Sequence, residues 1–324
     1  MDVDPATTPL AELQATHARL RAAWDARTPD LAQRRGDLLR LRAVFAQRLD
    51  AMDAAISADF GHRSTHENLV SEAMIVLAEI DHALRHLRRW MKPRRVGVGW
   101  RFWPARGEVR PLPVGVIGII APWNYPVNLA LVPLVSAIAA GNHVYLKPSE
   151  QTPQTSQWLR ALLGAVFPED RVAVALGGTD VGAAFAALPF DHLLFTGSTA
   201  VARKVMAAAA PNLTPVTLEL GGKAPAIIAA DFPLDVAAAR IASGQSGKCR
   251  ARSSPVQSQD WGGQTSSEGR SERVVFSAMA RSRRWRLQSS ACAATTPLVA
   301  TAGMPSRPAA ASTAWRVLPG RSSA

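Results

Sequence analysis

A regular alternation of apolar and helical segments between residues 114 and 222 is the feature that most restricts the fold of this chain. The segment 114–120, VGVIGII, is continuously apolar, as expected of a strand buried on both faces of a parallel sheet. Further strands are predicted at 143–149, 172–178 and 192–198, and another segment begins at 214–222. Helices are predicted between them at 126–141, 155–167, 180–188 and 199–210. Strands that alternate with helices predict an α/β fold with a doubly wound parallel sheet, in which ligands bind beyond the carboxyl ends of the strands.

Helices are also predicted before the sheet. Residues 9–60 have helical periodicity. Ser64 and Glu67 have the spacing of a capping box, which predicts a second long helix that runs to about Met91 and packs its apolar face on the sheet. Residues 95–113 alternate loosely and predict a hairpin or an extended linker.

The net charge of +12 comes mostly from the C-terminal part of the chain. Residues 248–324 contain twelve Lys and Arg against three Asp and Glu, so residues 1–247 carry only +3. The total charge is therefore no evidence that the folded part binds nucleic acid. Both cysteines, Cys249 and Cys292, also lie in the C-terminal part, which excludes a disulfide framework elsewhere.

The composition predicts a globular, cytoplasmic protein with no membrane partner. No apolar run reaches the ~18 residues of a membrane span, and the polar start lacks the apolar core of a secretory signal. After residue 247 the sequence lacks Ile and Asn, contains eleven Arg and fourteen Ser, and keeps no helical or strand period. We expect an N-terminal helical region with an extended linker, a Rossmann-like domain, the start of a truncated catalytic domain and a disordered tail, at 1–113, 114–218, 219–247 and 248–324.

Four motifs follow one another along the predicted sheet, namely APWNYP (121–126), YLKPSEQTP (145–153), FTGSTAVARKV (195–205) and LELGGKAP (218–225). Their residues, order and spacing resemble the aldehyde dehydrogenase superfamily over roughly residues 20–245, about half of a full-length member. HLRRWMKPRR (86–95) and PFDHLLFTGST (189–199) resemble the class 3 branch, and most of all bacterial coniferyl-aldehyde dehydrogenases.

The resemblance implies oxidation of an aldehyde, such as an aromatic one, to the carboxylic acid with NAD or NADP through a thiohemiacetal. Asn124 follows a predicted strand and would donate a hydrogen bond to the oxyanion. Glu219 would be the general base that activates water to cleave the thioester. The alternatives are a turn or cap asparagine before Pro126 and a purely structural glutamate.

The resemblance also implies the residues that bind the cofactor, and no metal. A lysine and a glutamate at a strand end suit a ribose, which points to Lys147 and Glu150, although an exposed turn is the alternative. Backbone amides at a helix N-terminus suit a pyrophosphate, which points to Gly197 and Ser198. The full implied set is Pro122, Trp123, Lys147, Ser149, Glu150, Gly177, Gly178, Thr196, Gly197, Ser198, Val201, Leu220 and Gly221.

Two positions depart from the pattern of the family. Its G-S-T-x-V-G motif ends here in Ala202, whose methyl group is expected to crowd the helix against the strand. The nucleophilic cysteine should lie in an N-A-G-Q-x-C segment beyond Glu219, at the position where this chain has Ser253. Cys249 lies in an unrelated context, and because attack on a carbonyl depends on geometry, we expect no working nucleophile.

Three functions stay open at this point. The first is aldehyde oxidation, with the elements of the family homodimer expected to be missing. The second is a non-catalytic relic that at most binds nucleotide. The third is nucleic-acid binding through the Arg-rich tail, which has no recognisable binding fold; salt-dependent DNA binding lost on deletion of residues 248–324 would support it.

A change of reading frame near residue 247 would explain both the missing motif and the altered composition. Lys-Cys-Arg-Ala-Arg (248–252) can be encoded as AAG TGC CGG GCA AGG, which gives Ser-Ala-Gly-Gln when it is shifted by one base. We expect the gene around codons 240–260, translated in all three forward frames, to contain the family's continuation in another frame. A clean in-frame sequence without that continuation contradicts the hypothesis.

Overall fold

The computed structural model describes residues 7–61, 63–222, 228 and 231–249. Its first elements are the helices α1 (Leu10–Ala26), α2 (Leu31–Gln47), α3 (Leu49–Phe60), α4 (Thr65–Asn68) and α5 (Met74–Trp90). A π-helical turn, Leu69–Ala73, joins α4 to α5. The prediction of helices over 9–60 and onwards to about Met91 is confirmed, with breaks that the periodicity did not reveal.

The capping box predicted at Ser64 is wrong. Ser64 precedes α4, but its side chain makes no capping hydrogen bond. Asp53 of α3 instead accepts hydrogen bonds from Thr65 Oγ1 at 2.8 Å and Asn68 Nδ2 at 2.7 Å. A carboxylate from the preceding helix therefore organises this helix start, and the local spacing of Ser64 and Glu67 could not show it.

The remaining elements are β1 (Arg94–Val96), β2 (Gly107–Val109), β3 (Val116–Ile120), α6 (Asn128–Ala140), β4 (His143–Lys147), α7 (Pro153–Val166), β5 (Val172–Val174), α8 (Thr179–Ala186), β6 (His192–Gly197), α9 (Thr199–Ala209), β7 (Val216–Leu220) and α10 (Leu234–Cys249). The strands β1 and β2 pair antiparallel, which confirms the hairpin predicted within 95–113. The other strands form a parallel sheet in the order β5-β4-β3-β6-β7. The predicted α/β fold is confirmed.

Helices cover both faces of the parallel sheet. On one face, α6 and α7 pack on Ile117, Ile119 and Val144, with α2, α3 and α5 completing the same apolar core. On the other face, α1, α8 and α9 pack on Val116 and Tyr145. All five residues of β3 are buried, as its continuous apolar sequence predicts.

The long helix α5 does not pack mainly on the sheet as predicted. Its buried residues are Val76, Ile80, Ala83 and Leu87, and its main contacts are with α2 and α6. Ile75, which also belongs to the apolar face predicted to pack on the sheet, is 43% exposed. Since α6 already covers β3 and β4, α5 lies in a second layer of helices.

A buried ion pair fastens α2 to the segment that leads into β5. Asp37 of α2 accepts a hydrogen bond from Arg171 Nε at 3.2 Å, and Arg171 Nη1 donates to the carbonyl of Asn142 at 2.6 Å. The side chains of Asp37 and Arg171 are only 2% and 4% exposed. The pair joins elements that lie far apart in sequence.

We expect two glycines to respond in opposite directions to substitution by alanine. Gly141 ends α6 in a left-handed conformation with φ 93°, and a Cβ there would collide with the guanidinium of Arg34. Gly164 lies in α7 with open space around it. Gly141→Ala should lower the free energy of unfolding by about 1–2 kcal/mol, whereas Gly164→Ala should raise it by about 0.5 kcal/mol. Urea denaturation measures both, and a stabilising Gly141→Ala would contradict the left-handed helix end.

Candidate active site

The candidate site residues come together at the carboxyl edge of the parallel sheet. Across that edge, Gly177 and Gly178 follow β5, Lys147 ends β4, Asn124 follows β3, Gly197 ends β6 and Glu219 lies in β7. The register keeps these ends level, since Ile120 pairs with both Lys147 and Phe195. The helices α6 and α8 lie on opposite faces, so the winding reverses beside β3. Doubly wound sheets bind ligands at such a reversal.

Lys147 and Glu150 form an ion pair at the end of β4. The Lys147 side chain is 4% exposed, and its Nζ donates to Glu150 Oε2 at 2.8 Å and to the carbonyl of Pro148 at 3.2 Å. Burial acts to raise the pKa of Glu150, but the hydrogen bond and the charge of Lys147 lower this pKa below its ordinary value. Because Lys147 is buried, the alternative of an exposed turn does not describe it. The pair presents an ionised carboxylate, 42% exposed, that can accept hydrogen bonds from a diol.

Ser149 shapes the turn between β4 and α7. Its hydroxyl accepts a hydrogen bond from the backbone N–H of Gln151 at 3.2 Å. Its carbonyl accepts from the hydroxyls of Thr152 at 3.4 Å and Ser156 at 2.9 Å. These bonds fix the turn beside Lys147, and a direct contact of Ser149 with a cofactor stays a prediction.

The diglycine after β5 brings backbone, without side chains, to the same edge. Gly177 has φ 146°, and a Cβ there would collide with Val181. Gly178 is the N-terminal cap of α8. The positive φ of Gly177 gives a physical reason for glycine at this position, independent of any ligand.

The turn from β6 into α9 has the properties of an anion-binding helix N-terminus. Thr196 and Gly197 end the strand, and Ser198 caps the helix by accepting a hydrogen bond from Val201 N at 3.3 Å. Ser198 is exposed, and Val201 is 46% exposed. The first amides of a helix have no intrahelical partner, so they can donate to a phosphate oxygen.

Ala202 is 1% exposed and packs in the core that contains Leu193, Phe195 and Val205. The crowding of this turn by its methyl group stays a prediction.

Glu219 lies near the carboxyl end of β7. It is half-buried and pairs in register with Thr196. Within the described residues, no group hydrogen-bonds to its carboxylate. Leu220 is 40% exposed, and a Cβ at Gly221 would meet nothing within 4 Å, so this end of β7 is open.

Asn124 lies in the loop between β3 and α6 with its side chain uncommitted. The residue is half-buried, and its amide makes no hydrogen bond to any described residue. Its backbone carbonyl, however, accepts a hydrogen bond from Arg63 Nη1 at 3.0 Å. The preceding Trp123 packs near Phe60, with ring centroids 6.3 Å apart. Asn124 follows β3 and Glu219 lies in β7. Since β6 separates these two strands, the strands lie roughly 10 Å apart at ordinary strand spacing.

Arg63 and Glu72 are site residues that the sequence reasoning missed. Glu72 is fully buried, with Oε1 3.2 Å from Arg63 Nη1 and Oε2 accepting from Asn128 N at 2.6 Å. Burial raises the pKa of Glu72 to about 7, although Arg63 and the amides of Asn128 and Val127 act to lower it. The one signal in the sequence is a carboxylate in helical register with the apolar residues Val76 and Ile80.

Comparison with known proteins decides the family. The sequence profile of the Aldehyde dehydrogenase family matches residues 5–249. The chain belongs to the aldehyde dehydrogenase family. Its predicted resemblance to coniferyl aldehyde dehydrogenases and to the class 3 branch is confirmed by the relatives that match it.

Among these relatives, this aldehyde dehydrogenase chain is 52% identical over 236 residues to the "Probable coniferyl aldehyde dehydrogenase" of Pseudomonas aeruginosa, covering 72% of the chain and 50% of the relative. It is 43% identical over 212 residues to the coniferyl aldehyde dehydrogenase of Pseudomonas sp. strain HR199, covering 65% and 44%. The chain thus spans about half the length of the curated relatives it matches.

Solved structures of aldehyde dehydrogenases also align with this chain. The substrate-bound state of Staphylococcus aureus AldH aligns with a TM-score of 0.69 and 33% identity, covering 72% of this chain and 51% of that one. The Mycobacterium tuberculosis aldehyde dehydrogenase complexed with NAD+ aligns with a TM-score of 0.63 and 30% identity, covering 74% and 50%.

The predictions about the nucleophile and the tail, a membrane span and a metal site can be compared only with the described residues. Of the predicted tail, 248–324, the first two residues end α10 at Cys249, while residues 250–324, with Ser253, lie outside the described residues. Among the described residues, no helix is both long and apolar enough to cross a membrane. In the same part of the chain, no cluster of three metal-ligating side chains occurs.

We expect the buried carboxyl of Glu72 to make stability depend on pH. Its pKa is about 7 in the folded chain and 4.5 ordinarily, so folding favours the protonated form. The stability that protonation contributes is complete below pH 4.5 and is lost as pH rises through 7, by at most ~3 kcal/mol. Glu72→Gln should lack this fall.

The measurement is the free energy of unfolding of both proteins from pH 5 to pH 8. Burial lowers the pKa of His17, His143 and His192, and these groups change stability in the opposite direction. They are common to both proteins, so the difference between the two curves isolates Glu72. Parallel curves would show that Glu72 does not titrate in this range.

Proposed function

We propose that this chain is built for the oxidation of an aldehyde to its carboxylic acid with NAD+ or NADP+, with an aromatic aldehyde such as coniferaldehyde as substrate. The observation that carries the proposal is the convergence of five strand ends at one edge. There the Asn124 amide and the Glu219 carboxylate, which have no hydrogen-bond partner among the described residues, accompany an ion pair and the exposed N-terminus of α9. The printed activity of the coniferyl aldehyde dehydrogenase relatives supports the substrate class.

The residues present fit a dinucleotide. The ionised Glu150, held by Lys147, is suited to the hydroxyls of a ribose. The exposed amides at the start of α9 are suited to a pyrophosphate. NAD+ or NADP+, when bound, supplies the acceptor for the hydride.

Asn124 and Glu219 would share the remaining chemistry. The amide of Asn124 can donate a hydrogen bond to the aldehyde oxygen as negative charge develops on it, which stabilises the transition state for attack on the carbonyl. The carboxylate of Glu219 can accept a proton from water, which then cleaves the thioester. The thiol that forms the thiohemiacetal is the group for which this chain offers no matching motif.

A second candidate is a protein that binds the nucleotide without turning over the aldehyde. The observation that favours it is Ser253 at the position where the family pattern requires the nucleophilic cysteine. Cys249, the alternative thiol, ends the helix α10. The two candidates share the nucleotide site and differ only in the chemical step.

We expect NAD+ to bind, and Glu150→Gln to weaken binding about tenfold, which is the effect of losing roughly 1.4 kcal/mol from a charge-assisted hydrogen bond. Isothermal titration of the full chain with NAD+ measures this. Glu169→Gln is the matched control, since it neutralises a carboxylate, 63% exposed, that is paired with Arg19 outside the site. Absence of NAD+ binding by the native chain, or equal effects of the two variants, would contradict the proposed cofactor site.

Turnover distinguishes the two candidates. The purified chain is mixed with coniferaldehyde and either NAD+ or NADP+, and the reduced cofactor is measured by its absorbance. Reduced cofactor that disappears in Glu219→Gln and Asn124→Ala would support oxidation by this chain. Nucleotide binding without reduced cofactor would support the second candidate.

A further inference from the structure

The loop that carries Asn124 ends at a helix that does not cap itself. It joins β3 to α6, which begins at Asn128. The residue before the helix, Val127, makes no side-chain cap. Val127 is also fully buried, so its amide and that of Asn128 need partners other than water.

Glu72 supplies those partners from another helix. Its Oε2 accepts from Asn128 N at 2.6 Å, and the amide of Val127 also hydrogen-bonds to this carboxyl. In the reverse direction, Nδ2 of Asn128 donates a hydrogen bond to the carbonyl of Ser71 at 3.0 Å. Glu72 lies in the π-helical turn, a distortion that is frequent at functional sites. The far end of the Asn124 loop is thus fixed by a fully buried carboxyl.

Arg63 holds the middle of the loop. One nitrogen, Nη1, lies 3.2 Å from Glu72 Oε1 and 3.0 Å from the carbonyl oxygen of Asn124. The guanidinium also lies over the ring of Tyr125, 4.7 Å from its centroid, and over the ring of Phe60 at 5.1 Å. Its side chain is only 4% exposed. Arg63 therefore restrains the backbone of Asn124 and the residue that follows.

We propose that Glu72 and Arg63 are positioning residues that fix the Asn124 loop at its junction with α6 and at its middle, and thereby aim the Asn124 amide. The proposal rests on the proposed function only for the role of that amide. A hydrogen-bond donor stabilises an oxyanion only when it is held in place before charge develops, which requires its supports to be fixed by packing and by further hydrogen bonds.

A second buried ion pair of the same chemistry provides the comparison. Asp37 and Arg171 are as deeply buried, but they join α2 to the start of β5 and contact no residue of the Asn124 loop. Loss of either pair should reduce stability. Only loss of the Glu72–Arg63 pair should change the loop.

Trp123 provides a local probe, because it precedes Asn124 and its ring packs near Phe60. The full chain is labelled with fluorotryptophan, and the Trp123 resonance among the nine is assigned by Trp123→Phe. In the native chain this resonance should shift with a midpoint near pH 7, since ionisation of Glu72 strengthens its interaction with Arg63. The other ionisable groups around the guanidinium are Glu67 and Tyr125.

Glu72→Gln should abolish the shift and leave the resonance at its low-pH position. Arg63→Lys, which keeps the charge but loses the planar guanidinium that lies over Tyr125 and Phe60, should displace or broaden it at pH 8. Asp37→Asn should lower stability and leave the resonance unchanged. A Trp123 resonance that titrates equally in Glu72→Gln, or that is native-like in Arg63→Lys, would overturn the proposal.

The same samples separate this proposal from the proposed function. NAD+ affinity is measured on the native chain by titration calorimetry. If NAD+ does not bind, the proposed function fails while the Trp123 resonance still decides the role of Glu72 and Arg63. If NAD+ binds and the resonance is insensitive to both variants, only the positioning proposal fails.

Discussion

The parallel register of the five-strand sheet is the constraint on which the rest of the structure depends. Because all five strands run in one direction, the carboxyl end of every strand, and every loop that follows one, lies at a single edge. Parallel strands must be connected through helices, and those helices bury both faces. The fully buried β3 is the result, and it places the Asn124 loop beside the reversal of winding.

Three buried or half-buried charged pairs lie beside backbone groups at the ends of helices and strands. The Lys147–Glu150 pair lies just past a strand end, and Glu72 satisfies amides at a helix start. Asp37 and Arg171 likewise join backbone segments through the carbonyl of Asn142. A buried charge is tolerated only with such partners. The same need that stabilises the fold therefore fixes the geometry of the candidate site.

The proposed chemistry needs two sets of groups, namely those at the sheet edge and a thiol. Asn124 follows β3 and Glu219 lies in β7, and the predicted dinucleotide residues lie at or after the ends of all five strands. All of these residues come before position 222. Binding of the nucleotide can therefore be measured apart from turnover of the aldehyde.

The sequence by itself determined the strands, the helices around them and the placement of the motifs, because periodicity and apolar runs are local properties. It put Lys147, Asn124 and Glu219 at strand ends without any tertiary information. It failed at Ser64 and on the packing of α5, where a neighbouring helix decided the outcome. Only the tertiary structure brought Arg63 to Asn124 and Glu72 to Asn128, 61 and 56 positions away, since no local pattern encodes such contacts.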